Sequence, residues 1–316
     1  MKRMKNTRTL LPLRRTKSAK SVTLQTDKQL RIMNKKIFFS IASVALITVI
    51  FSGCKKLVNQ NIQAASNSSV AIIAYNDVFE QLNAAVDSAL DQKVVDTWKL
   101  SGSICADVTL SPLGSAFPKT LTIDYGTNCI GPDGTARVGK IIGVFSGNLL
   151  DESTTVEVSF EEYSAGQYTL SGTDSITNNG TDGAGNLVFS EVLRNTLVSW
   201  GTQKIRWEAD FTRTWKEGSE TNFATDTIGG TLGFAGLNDD VFELTGSASG
   251  NDSNTHPFIL EIGTPLVVQT GCEYIKEGIL VISPTNFNGG TVDYGTGACD
   301  KQATIEVEGE VFNFTL

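Results

Sequence analysis

Between Gln203 and Lys216 the chain reads QKIRWEADFTRTWK, and apolar side chains recur at every second position. Ile205, Trp207, Ala209, Phe211 and Trp215 make one set. Lys204, Arg206, Glu208, Asp210, Thr212, Thr214 and Lys216 make the other. Successive side chains of a strand point to opposite faces, so this period of two predicts one long antiparallel strand with a buried and a wet face. Strands usually run to about 5–6 residues, so such a run predicts a tall, curved sheet. Val156, Val158 and Phe160 alternate with Glu157, Ser159 and Glu161, and Phe312, Phe314 and Leu316 with Asn313 and Thr315. Turn signals separate these runs: PDGT at 132–135, Asn179-Gly180, Asp182-Gly183, Asn288-Gly289 and Glu308-Gly309.

One segment has a different period. In VAIIAYNDVFEQLNAAVDSALDQ, residues Tyr75, Val78, Phe79, Leu82, Ala85, Val86, Ala89 and Leu90 recur at helical spacing. An amphipathic helix is expected over 70–94. It packs on the sheet, or serves as a lid over a ligand groove. The polar, Asn/Gln/Ser-rich residues 54–69 are expected to form a tether, and 95–316 a single antiparallel β domain bracketed by two similar hairpins. The fold class expected is all-β: a long-stranded antiparallel sheet, in a sandwich or half-open barrel, with one N-terminal amphipathic helix.

Charge changes the picture at the N-terminus. Residues 1–53 carry 12 of the 26 Lys and Arg and one acid, Asp27. The rest holds 14 basic and 33 acidic side chains, a net of −19. So acidic a body repels phosphate backbones, which excludes nucleic acid as a partner, and it cannot dock on anionic lipid by its own charge. Residues 34–54 read NKKIFFSIASVALITVIFSGC: two lysines, an apolar run from Ile37 to Phe51, then Ser52-Gly53-Cys54. The run is short for a transmembrane helix. The segment resembles a bacterial lipoprotein signal, with Phe51 a departure from the usual Leu or Val. The resemblance implies cleavage before Cys54 and acylation of its thiol, which makes 1–53 a signal region and 1–32 a mis-called start or a long n-region. Two acyl chains anchor a protein stably. The absence of an acid between Cys54 and Asp77 points to the periplasmic face of the outer membrane.

Four cysteines remain: Cys105, Cys129, Cys272 and Cys299. An even number in an exported chain implies disulfides, and three connectivities exist. TIDYGTNC closes on Cys129 and TVDYGTGAC on Cys299; each comes after a Cys, an apolar strand, Ser-Pro and a turn containing Phe. The repeated unit is Cys–strand–turn–strand–Cys, which favours the local pairs. In each copy Tyr125 or Tyr294 faces inward, and Asp124 or Asp293 ties the next turn. The functional alternative makes Asp124 and Asp293 a carboxylate pair for acid–base work on a sugar.

Other chemistry is thin. The single histidine, His256, has no nucleophile elbow or metal-spaced partner. NNGTDGAGN at 178–186 is oxygen-rich yet misses the calcium-loop pattern. No catalytic, metal or cofactor-binding motif is present, and no cofactor is expected. Arg213 stands on the apolar face of the long strand, between Phe211 and Trp215. It is expected to snorkel and stack on Trp215; otherwise it pairs with a carboxylate or is a ligand contact. Asp87-Ser88-Ala89, Asp174-Ser175-Ile176 and Asp226-Thr227-Ile228 resemble O-glycosylation triplets of Bacteroidota envelope proteins.

The signal at 35–54, the helix AYNDVFEQLNAAVDSAL, TIDYGTNCIGPDGTARVGKI, FTRTWKEG and the tail from Thr291 together resemble a family of uncharacterised Bacteroidota lipoproteins. The resemblance implies no activity. The function expected is a lipid-anchored envelope protein with a non-enzymatic binding or structural role, its partners being the membrane through Cys54 and an envelope protein or glycan. The alternatives are a carrier of a lipid or other apolar ligand and an envelope glycan hydrolase.

Overall fold

The computed structural model describes residues 58–86, 98–99, 105–131, 133–220, 238–252, 256–285 and 288–316. They form one helix, α1 (residues 58–86), and fifteen strands. The strands are β1 (Trp98–Lys99), β2 (Asp107–Ser111), β3 (Lys119–Asp124), β4 (Cys129–Ile130), β5 (Ala136–Phe145), β6 (Thr155–Ala165), β7 (Tyr168–Thr181) and β8 (Leu187–Trp200). They continue as β9 (Gln203–Glu217), β10 (Val241–Asn251), β11 (Pro257–Gln269), β12 (Glu277–Pro284), β13 (Gly290–Thr296), β14 (Gln302–Val307) and β15 (Glu310–Thr315). Each pairs antiparallel with its neighbour in sequence, except that β3 passes to β5 and β4 adds to β5 beside it. All belong to one antiparallel sheet that does not close into a barrel.

The predicted alternation sets the register. Along β9 the inward positions Ile205, Trp207, Ala209, Phe211, Arg213 and Trp215 are all buried, while Lys204, Arg206, Glu208 and Asp210 are exposed. Curvature comes from bulges where strands approach too closely for a side chain. A Cβ on Gly139 would fall 2.3 Å from the Glu162 carbonyl oxygen, and one on Gly246 2.2 Å from that of Asp210. Both glycines have positive φ and lie at register shifts. Such bulges bend the strand and increase its twist.

The sheet bends around α1, which is where the expectation of a one-faced helix fails. The predicted stripe is buried through Val86, but so are Asn76, Gln81 and Asn83 on other faces, each 3% exposed. The helix also starts at residue 58, twelve residues before the expected 70, so 58–69 is not a tether. Several of its polar side chains are bonded within the protein. Asn61 donates to the Asn288 carbonyl (2.9 Å), Gln63 to Asn67 (2.7 Å), and Ser69 back to the Ala65 carbonyl (2.9 Å). Residues 87–94 lie outside the described residues. At roughly 1.5 Å per residue α1 is roughly 43 Å long. Its aromatic side chains fill the space under the sheet: Tyr75 meets Phe160 and Trp207, and Phe79 meets Phe189 and Phe242.

Candidate functional site

The chemistry of the molecule is concentrated where the polar residues of α1 meet charged residues on the inner face of the sheet. Two buried arginines organise it. Arg213 (1% exposed) lies one strand from Phe189 and Leu244 in the β8–β9–β10 register. It grips Glu191 through Nε and, at 3.4 Å, through Nη2, and it donates to Asn76 Oδ1 at 2.7 Å. Its guanidinium lies 4.2 Å from the Phe79 ring centroid and 5.1 Å from that of Phe242. The expected stack on Trp215 does not occur, because Trp215 packs against Phe242. The helix covers the strand here and leaves no route to solvent, so the carboxylate alternative holds. Glu191 and Asn76 between them take one N–H from each of the three guanidinium nitrogens.

Sequence could have found the partner. In VFSEVL the inward phase is Phe189, Glu191, Leu193, so Glu191 breaks its apolar pattern as Arg213 breaks its own. Two violations of opposite charge on adjacent long strands predict an ion pair. A third is Asp174, inward on β7 and 1% exposed. Burial, reinforced by the Glu191 charge and opposed by Arg213, pushes its carboxyl well above the usual range. Among the described residues its Oδ1 has no hydrogen-bond partner, as suits a group that stays protonated.

Arg137, on β5, is 2% exposed and holds two acids. It binds Asp77 of α1, with Nε to Oδ2 at 3.3 Å, and Asp133 of the preceding turn at 2.7 and 3.1 Å. The Tyr163 hydroxyl donates to the same Asp77 oxygen at 3.1 Å. Burial pushes Asp133 up, but the Arg137 hydrogen bonds and charge outweigh it and hold the carboxyl below its usual value. Glu80, one turn from Asp77, goes the other way. Burial and the Asp77 charge push it up to about 8, against the pull of Arg213 and a 2.6 Å hydrogen bond from Asn76. One carboxyl held ionised, Asp133, and another held protonated, Glu80, is the kind of split that acid–base chemistry uses. Here each of those groups is tied to a neighbour in the helix–sheet contact.

The repeated phrases meet the same helix. The Tyr125 hydroxyl bonds Gln81 Oε1 at 2.9 Å, and the Tyr294 hydroxyl shares a hydrogen bond of 2.7 Å with Ser69 Oγ. Ser69 and Gln81 are twelve residues apart, roughly 18 Å along the axis and about 120° around it. The two hairpins therefore hold the helix from different sides. Burial pushes both phenols above their usual range. Asp124 Oδ1 accepts from Gly126 N (2.9 Å) and Asp293 Oδ1 from Gly295 N (2.8 Å). Each carboxylate closes its own turn, on strands far apart in the sheet order. The local disulfides are present: Cys105–Cys129 with Cα atoms 5.2 Å apart, and Cys272–Cys299 with 5.9 Å.

The remaining sequence candidates are local devices. His256 Nδ1 lies 3.1 Å from Asp252 Oδ2 within one loop. Asp182 accepts from Ala184 N, Asn186 N and Asn186 Nδ2, which turns the oxygen-rich loop upon itself. Among the described residues no group of three or more His, Cys, Asp or Glu is arranged to hold a metal ion. Ser175 points outward and donates to Glu157 while its Asp174 is buried; the triplets at 87–89 and 226–228 lie outside the described residues, as does Cys54. A hollow at the C-terminal end of α1, lined by Val86, Leu110, Phe117, Phe145 and Leu149, offers about 20 Å³, room for about one water. Among the described residues no helix is long and apolar enough to cross a membrane. No protein family, curated protein or solved structure matches the chain.

Proposed function

We propose that the protein is a non-enzymatic module of a bacterial cell envelope, anchored at acylated Cys54 in the outer membrane and facing the periplasm. It belongs, on this reading, with the Bacteroidota lipoproteins that its signal and paired DYG–Cys hairpins resemble. The observation that carries the reading is the state of the interior. From Ala64 to Val86 no residue of α1 is exposed, and its charged groups and several polar ones there bond to the sheet or to one another. A carrier needs a cavity of several hundred Å³, and the hollow beside Val86 takes about one water. A hydrolase needs two free carboxyls facing a substrate, and the inward acids at the helix contact are engaged: Asp77 and Glu191 are bonded to arginine and Asp174 is held protonated. What remains for partners is the outer surface, on which an envelope protein or glycan would dock. The two disulfides suit an oxidising compartment.

Metabolic labelling with an alkyne fatty acid tests the anchor. Wild-type protein should label and enter the detergent phase, and Cys54→Ser should do neither; an unlabelled wild type defeats the proposal. Protease treatment of intact cells should leave the body uncut if it faces the periplasm. Photo-crosslinkers on the outward positions of β9, such as Arg206 and Glu208, should capture an envelope component. Turnover of a purified glycan by the wild type would replace the binding role with an enzymatic one.

A further inference from the structure

Three charged side chains lie on one diagonal of the inner face. Glu191 of β8 faces Ile176 of β7, while Asp174 faces Leu193. Glu191 also faces Phe211 of β9, while Arg213 faces Phe189. Each of the three therefore stands two positions along from the residue opposite its neighbour, a separation that long side chains bridge. Asp174, Glu191 and Arg213 are all buried. The stripe holds two carboxyls and one guanidinium.

That one cation is committed away from Asp174. Arg213 sends Nε and Nη2 to Glu191 and Nη1 to Asn76 of α1. Arg137, the other buried arginine among the described residues, holds Asp77 and Asp133. The elements packed on Asp174 bring it no second cation. From β6 the residue opposite is Val158. From α1 comes Tyr75, whose hydroxyl donates to the Ser171 carbonyl at 3.2 Å and whose phenol burial keeps neutral. The charges of Glu157 and Glu191 have the same sign as an ionised Asp174. A carboxyl in a dry contact, with a second carboxylate nearby and no donor on Oδ1 among the described residues, keeps its proton.

Asn76 connects this stripe to the helix. Its Oδ1 accepts from Arg213 at 2.7 Å and its Nδ2 donates to Glu80 at 2.6 Å. The middle of α1 is thus seated on a guanidinium that Glu191 holds in place. We propose that the diagonal is a proton-operated latch: α1 is seated while Asp174 holds its proton, and loss of that proton repels Glu191, disturbs its grip on Arg213 and loosens the helix around Asn76. Acid keeps this contact closed and base opens it. The sign follows from linkage, since a carboxyl that stays protonated in the fold stabilises it at low pH and ceases to do so once it ionises. A latch of this sign keeps the interior shut in an acidified medium and lets the polar side of α1 meet solvent in an alkaline one.

Hydrogen exchange of the full exported chain, corrected for the intrinsic pH dependence of amide exchange, tests this. Glu80 also titrates in this contact, so the comparison is made with Glu80→Gln as the starting chain. Between pH 6 and 9.5 the protection of the amides from Tyr75 to Phe79 should fall at least about tenfold, as loss of one proton allows. Amides of β12, several strands away in the sheet order, should keep theirs. Adding Asp174→Asn, which has the shape of the protonated side chain and cannot ionise, should hold the helix amides level. Should that variant fail to fold, carbon-13 NMR of the Asp174 carboxyl in the wild type gives the answer instead. Its signal should pass unchanged through the ordinary carboxylate range near pH 4. The proposal is overturned if the helix amides of Glu80→Gln keep their protection up to pH 9.5. It is equally overturned if the added Asp174→Asn loses as much, or if the Asp174 carboxyl titrates near pH 4.

Discussion

The two disulfide-clipped hairpins share a phrase, a turn and a tyrosine on the helix, but they are not equally protected. In the first, Cys129 is fully buried, and the next segment supplies Asp133 and Arg137, which fasten the hairpin to Asp77 of α1. In the second, Cys299 is exposed and the succeeding DKQATIEV brings no arginine. Tyr294 and the Asn288 carbonyl link that side to the helix by neutral hydrogen bonds. One device copied twice thus yields a hidden, ion-paired clasp and an accessible, neutral one. The residues just C-terminal to each second cysteine decide the difference, more than the repeated phrase does.

The largest expected effect breaks the first clasp alone. Arg137→Met leaves Asp77 in the helix–sheet contact without its cation and should cost about 3 kcal/mol or more in urea unfolding. No single charge removal in the second hairpin should approach that. Removing either disulfide should cost about 3 kcal/mol, somewhat more for Cys105→Ser/Cys129→Ser, which also buries a hydroxyl. The order of reduction sharpens the contrast. With increasing dithiothreitol, mass mapping should find Cys272–Cys299 open first; the reverse order would sink the distinction.

pH acts beside the first clasp through Glu80. Glu80 has a folded pKa of about 8 against an ordinary 4.5. A raised carboxyl favours the fold fully below about 4.5 and loses that contribution as pH rises toward 8. Glu80 is half-buried, and solvent screening limits the fall to on the order of 1–2 kcal/mol. Glu80→Gln should flatten that slope in chemical unfolding measured from pH 5 to 8. The smallest effect compares the tyrosines directly: Tyr125→Phe and Tyr294→Phe each remove one hydrogen bond and should cost about 1 kcal/mol.

Much of this architecture is legible in the chain, for reasons that differ by element. β9 can be read residue by residue because its two faces meet different solvents. The local disulfides come from the repeat. The helix reads as having one wet face because Asn61, Asn67, Asn76 and Gln81 are polar, and polarity in sequence does not distinguish water from a bonded interior. That ambiguity also hides residues 58–69, which look like linker and pack like core. Arg213 stands out as an anomaly, but its meaning lies in Glu191, an anomaly of the same kind on the next strand. Arg137 gives no signal, since β5 offers no clean alternation and its partner Asp77 is 60 residues away.

The enclosed helix has a consequence for how the chain is made. α1 leaves the ribosome before every strand that holds it, yet Asn61 and Ser69 find their partners 227 and 225 residues later. Contacts so distant in sequence fold slowly, because a long loop must close before they reward it. Until β13 arrives the helix has a sheet on one side and open solvent on the other. The last strands, rather than the first, therefore complete the native state, and a chain cut short before Gly290 should be protease-sensitive along its whole length.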